Sequence, residues 1–239
     1  MAIRKSDGET VWKQKGLGNT SWSSPRLIDV GDGQHLVLSS IGLIVGLNPK
    51  TGERLWDFSE VASNSSSTPV AVDNGKFLMG ASGGRGGAKP APSCGVIAIK
   101  KTDEGFVANW SWVSEKATCS FGSPFAFDGK AYFVNRTGIV NCHDIETGEN
   151  VYTGRLSSGQ IWATPLASKD AIYFFGKGGA TSVVAKGSKL NIVADNDLWK
   201  PEPAESKQGG PSSGSVLYAA AIDGSSLVMR RGDILYCVR

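Results

Sequence analysis

The chain has two histidines and four cysteines in 239 residues, and each scarcity narrows its chemistry. His35 and His143 stand far apart, and the sequence has no HExxH, no Ser-His-Asp signature and no closely spaced acid pair with local context. Both are read as solvated or structural rather than catalytic. Cys94, Cys119, Cys142 and Cys237 include no CxxC, which excludes the usual zinc-cluster and vicinal-redox spacings. No run is long and apolar enough to span a membrane. Long amphipathic-helix periodicity is missing. The formal net charge of +3 is too small to argue for nucleic acid. Met1–Asp7 lacks the apolar centre of an export signal.

What the chain has is glycine, 31 of them, and repetition. The stretch Gly42–Trp56, ending Asn-Pro-Lys-Thr-Gly-Glu-Arg-Leu-Trp, returns as Gly138–Tyr152. A truncated copy lies at Lys5–Trp12 and a stretched one at Gly95–Trp110. Each reads as strand, tight turn, strand ending in an aromatic. A second motif, Ser/Thr-Pro opening an apolar run, sits at Pro25, Pro69, Pro124 and Pro165. A supersecondary unit recurring at roughly 40–45 residues with four short strands fits a propeller blade. In the third unit the strands read as Phe125–Phe127, Ala131–Val134, Ile139–His143 and Asn150–Tyr152, joined by Asp-Gly and Thr-Gly turns.

Five units result, at about 20–60, 65–113, 119–157, 160–199 and 213–239, in a single domain over 1–239. The fifth stops after three strands, and the chain begins with an orphan outer strand, Glu9–Lys13. A ring of sheets avoids a raw edge by closing one terminus on the other. Glu9–Lys13 is therefore expected to pair beside Ile234–Val238, giving a closed, monomeric five-bladed all-β propeller. The alternative is the C-terminal part of a seven- or eight-bladed one.

The Asn48–Trp56 signature resembles the tryptophan-docking repeat of pyrroloquinoline-quinone-like (PQQ-like) β-propellers, along essentially the whole chain. Thr181–Leu198 and Gly232–Arg239 resemble the propeller proteins common in planctomycetes and related bacteria. The resemblance extends to the propeller of outer-membrane protein assembly, which binds partners without the quinone. It implies a bacterial, periplasmic or secreted protein whose leader is not in this sequence, with the cytoplasm as the other compartment.

Candidate functional residues lie where the second and third strands of each unit connect. Two residues before the anchoring glycines stand Ser40, Ala81, Arg136, Lys177 and Arg230. The approach to each innermost strand lies on the same face and carries Trp22, Ser66, Phe121 and Trp162. The mouth of the central channel is thus expected to be aromatic and cationic, with Arg85 and Lys89 adding to it from the Gly83–Pro90 insertion. Such a mouth suits an anionic group, a peptide carboxylate or a stacked sugar. Ordinary inter-blade packing and solubilising surface charge are the competing explanation. Cys94 and Cys119 belong to loops opening on that face and form a candidate disulfide, with free thiols as the alternative. Cys142 and Cys237 are expected to be buried thiols.

The function expected is a non-catalytic scaffold with a protein or glycan partner, and neither cofactor nor metal. The resemblance also admits a quinoprotein dehydrogenase using PQQ and calcium, whose parts find no place on this sequence. Carbohydrate binding or glycoside cleavage is a third reading, weakened because the inner strands carry acids only at their ends.

Overall fold

A computed structural model describes residues 1–73, 75–82, 93–119, 121–199 and 217–239. β1 (Ala2–Ile3) and β2 (Thr10–Trp12) form a hairpin. Four four-stranded antiparallel sheets follow. Blade one is β3 (Arg26–Asp29), β4 (Gln34–Ser40), β5 (Leu43–Leu47) and β6 (Arg54–Phe58). Blade two is β7 (Val70–Asp73), β8 (Lys76–Met79), β9 (Cys94–Thr102) and β10 (Gly105–Ser114). Blade three is β11 (Phe125–Phe127), β12 (Lys130–Val134), β13 (Ile139–Asp144) and β14 (Asn150–Arg155). Blade four is β15 (Leu166–Ser168), β16 (Ala171–Phe175), β17 (Ala180–Ala185) and β18 (Ile192–Asp197). Blade five has three strands, β19 (Leu217–Asp223), β20 (Ser226–Arg231) and β21 (Ile234–Val238). Within each blade the strands pair in chain order. No helix among the described residues is long and apolar enough to cross a membrane.

The core is a series of layers between blades rather than one central mass. Strands present alternate side chains to opposite faces, so a sheet buried on both faces needs continuous apolar runs. The second strands supply them. In β8, Phe77 and Met79 pack with Ile28, Trp56 and Phe58 of blade one, while Leu78 joins Ala131 and Phe133 of blade three. In β12, Tyr132 and Val134 turn the other way, toward Ile172 and Phe174 of blade four. Phe175 then meets Met229 of blade five. His35 belongs to this packing: it is 4% exposed, and its Nδ1 accepts a hydrogen bond from Trp56 Nε1 at 3.0 Å.

The Ser/Thr-Pro step is a blade-to-blade bond. The Ser24 amide donates to Thr68 Oγ1 (3.0 Å), the Thr68 amide to Ser123 Oγ (3.1 Å), and the Ser123 amide to Thr164 Oγ1 (3.1 Å). Proline holds the preceding residue extended and withdraws its own amide, which leaves the amide before it free to point at the next blade.

The Thr-Gly-Glu turn is also legible in atoms. Asn48 and Asp144 accept amides two and three residues on, and the Thr51 and Thr147 hydroxyls accept the amides of Glu53 and Glu149. An indole closes over each turn. Trp12 Nε1 donates to Pro49 O (3.0 Å) with its ring on Gly52, and Trp112 Nε1 donates to Ile145 O (2.9 Å) with its ring on Gly148. Trp110 instead meets Phe58 edge-on and donates to Glu60 O. Trp56 is buried against Gly46 within its own blade.

The expected pairing of Glu9–Lys13 with Ile234–Val238 is not formed. β2 pairs with β1 through a short loop held by Arg4, whose guanidinium bonds Asp7 (2.6 Å) and Glu9 (2.8 Å). A strand seven residues upstream is a far cheaper partner in loop entropy than one more than two hundred residues away. β21 pairs with β20 alone, and Cys237 upon it is exposed rather than buried.

Two glycines separate backbone strain from crowding. Gly129 (φ +69°) and Gly148 (φ +75°) share the left-handed conformation, but a Cβ on Gly129 meets open space and one on Gly148 lies 2.6 Å from the Trp112 ring. Gly129→Ala should cost about 1 kcal/mol. Gly148→Ala should cost about 2–4 kcal/mol, because overpacking adds to the strain. Equal losses in urea unfolding would show that the indole is not seated on the turn.

Candidate functional site

The hydroxyl bonds between blades bring the segments before each proline together on one face. There the backbone of blade three's approach nearly touches that of blade four's. A Cβ on Gly122 would lie 2.9 Å from Ala163 O, so a residue without one is needed at this crossing. The close approach sets Phe121 against Trp162, ring centroids 4.6 Å apart and tilted by 44°. The blade-four turn is fastened to the same segment by the Lys177 amide, which donates to Gln160 O at 2.6 Å. Lys177 Nζ consequently stands 4.6 Å from the Trp162 ring centroid. Three residues singled out from the sequence form one aromatic and cationic cluster. Phe121 is 44% exposed although its ring is large and apolar. The Trp162 Nε1–H is buried without an acceptor among the described residues, a cost that packing alone does not explain.

The other predicted residues are more scattered. Trp22 is fixed through its amide to Ser65 O (2.7 Å), yet its ring is 73% exposed. Arg136 is exposed on the Asn135–Gly138 turn, which Asn135 Nδ2 ties to Thr118 Oγ1 at 3.5 Å. Arg230 folds back on its own turn, its Nε donating to Gly232 O at 2.8 Å. The cation over a ring in blade five is its neighbour: the Arg231 guanidinium lies 4.5 Å from Trp199, which stacks on Tyr236 at 5.6 Å. Sequence reasoning missed this pair. An aromatic directly after an outer strand, in line with a basic turn, was the available signal. Arg85 and Lys89 lie outside the described residues.

Neither histidine is free for chemistry. His143 is 4% exposed, stacked on Trp112 (5.5 Å), with Nδ1 3.0 Å from Gly148 O. Among the described residues no three His, Cys, Asp or Glu side chains converge on a metal-sized space. Cys94 and Cys119 are each 1% exposed and carry free thiols in a shared apolar cluster.

A family model described as outer membrane protein assembly factor BamB matches residues 1–109. No curated protein matches the chain by sequence. Among solved structures, the Swd1 β-propeller domain of Myceliophteria thermophila is 12% identical, with a TM-score of 0.58 over 88% of this chain and 68% of that one. The chain is a β-propeller protein. A chain of the S. cerevisiae complex of Dbp5 with Nup159 and Gle1 is 10% identical, with a TM-score of 0.52 over 90% and 54% of the two chains. BamB from Moraxella catarrhalis is 15% identical, with a TM-score of 0.43 over 88% and 67%.

The two exposed tryptophan-bearing approaches of this propeller should respond differently to truncation. Trp22→Leu should leave stability within about 0.5 kcal/mol of the parent. Trp162→Leu should cost about 1–2 kcal/mol, through lost ring and cation contacts. Equal values in chemical unfolding would contradict the assignment of Trp162 to a built cluster and Trp22 to a free rim.

Proposed function

We propose that this propeller is a binding scaffold that takes a protein partner on the face bearing Phe121, Trp162 and Lys177. The carrying observation is the cluster itself, a half-exposed aromatic pair with an ammonium held above it. Aromatic rings beside a fixed cation suit an acidic or carboxylate-terminated peptide: the rings cover its apolar part and the ammonium pairs with its charge. The BamB-like match over residues 1–109 supports a role in assembly rather than catalysis, and with it a periplasmic site of action. The indole-on-turn contacts of Trp12 and Trp112 are, on this reading, the docking positions of the repeat.

A quinone enzyme is the weaker reading because the residues present do not fit the group. Calcium beside a quinone needs converging oxygen ligands, and no such set of acids stands among the described residues. Phe121 and Trp162 touch each other instead of facing across a slot wide enough for a flat cofactor.

The test is binding of a panel of acidic peptides with free C-terminal carboxylates, set against the same peptides amidated. Arg136→Glu with Lys177→Glu should weaken binding at least ~10-fold while leaving the melting transition in place. Unchanged affinity in the double variant, or no preference for the free carboxylate, would remove this face as the site.

A further inference from the structure

The buried thiols of Cys94 and Cys119 have no part in the proposed binding face, yet they meet beside it. Cys94 opens β9, and Cys119 lies on the approach to blade three, two residues before Phe121. Both are anchored to one backbone unit. The Ala81 amide donates to Cys94 Sγ at 3.2 Å, the Cys94 thiol reaches Ala81 O at 3.5 Å, and the Cys119 amide donates to the same carbonyl at 2.8 Å. Both side chains lie in the same buried cluster between blades two and three. Gly80 makes room for the pair: a Cβ there would lie 2.8 Å from Cys119 Sγ.

We infer that Cys94 and Cys119 are a disulfide-forming pair that staples blade two to the approach of blade three and braces Phe121. The two residues belong to different blades, and the staple closes the chain across β10. The two thiols are unequal. Burial works to raise the Cys94 thiol, but hydrogen bonds from Cys119 and the Ala81 amide outweigh it and hold it below the ordinary range. The hydrogen bond to Cys94, and then burial, push Cys119 well above that range. Cys94, whose sulfur accepts the Ala81 amide, attacks first as the thiolate. It displaces one thiolate from a small-molecule disulfide such as oxidised glutathione, forming a mixed disulfide at Cys94. Cys119, deprotonated, attacks the Cys94 sulfur and releases the second thiolate. The protein loses two electrons and two protons, and the glutathione disulfide gains them. With each sulfur 1% exposed, the oxidant reaches the pair during folding or a transient opening, and the finished bond is shielded from reductant. Cys142 takes no part: it is buried in a separate cluster, packed with Tyr132, Ile172 and Phe174 between blades three and four.

The test uses Cys237→Ser, which removes the exposed thiol, refolded with either oxidised glutathione or dithiothreitol. Thiols are then counted by alkylation in denaturant. The oxidised sample should show one alkylated cysteine, Cys142, and a mass lower by two hydrogens. It should melt about 5 °C or more above the reduced one. Adding Cys119→Ser should abolish both effects. Three alkylated cysteines after oxidation, or a bond mapped to Cys142, would overturn the inference. If refolding fails, the same count on protein folded in an oxidising secretory compartment decides between these outcomes.

Discussion

The amide-to-hydroxyl bond at the Ser/Thr-Pro step is the contact on which the arrangement of this molecule rests. Blades are autonomous meanders, and nothing in their strand pairing says where the next should lie. The chain of bonds from Ser24 to Thr68, Ser123 and Thr164 supplies that relation at the same step of the repeat. Each bond contributes about 1 kcal/mol net. Their weight lies in geometry: they align the inner strands, stack the apolar second strands into layers, and deliver the residues before each proline to one rim. The Phe121–Trp162–Lys177 cluster follows from that alignment, helped by a glycine where two backbones nearly meet.

The outer circumference is held differently. An asparagine or aspartate organises each Thr-Gly turn, and an indole from an earlier sheet, Trp12 of β2 or Trp112 of β10, closes on it. Thus the turns that stand out in the sequence at Asn48–Glu53 and Asp144–Glu149 each carry an indole, Trp12 and Trp112, and the less conspicuous Ser/Thr-Pro is the tie between blades. The two motifs thus hold different parts of the molecule, the Ser/Thr-Pro step the inner strands and the Thr-Gly turn the outer ones.

Much of the fold was legible because each blade carries its own punctuation. The third unit was read strand by strand, and β11 to β14 fall where the Asp128-Gly129 and Thr147-Gly148 turns placed them. Partners distant in sequence were not legible. The repeat ends on Trp110, but a bulge between Trp110 and Trp112 shifts the register, and it is the Trp112 indole that reaches the next turn. The closing pair β2–β21 was argued from the cost of a raw edge, and a local hairpin took β2 instead. Of the rim residues, Phe121 and Trp162 are legible three places before the motif prolines, and Lys177 two places before the anchoring glycine. Arg231 was missed because neighbouring arginines in a strand point to opposite faces, and counting back from Gly232 selected Arg230.

Amide hydrogen exchange at Ser24, Thr68 and Ser123 tests the account at its centre. These amides lie outside every strand, so only the bond to the next blade can protect them. The account requires slow exchange at all three in the parent protein, and loss of protection at Thr68, with Ser24 spared, in Ser123→Ala. Exchange at the rate of an open loop in the parent would contradict it, and with it the alignment that assembles the rim.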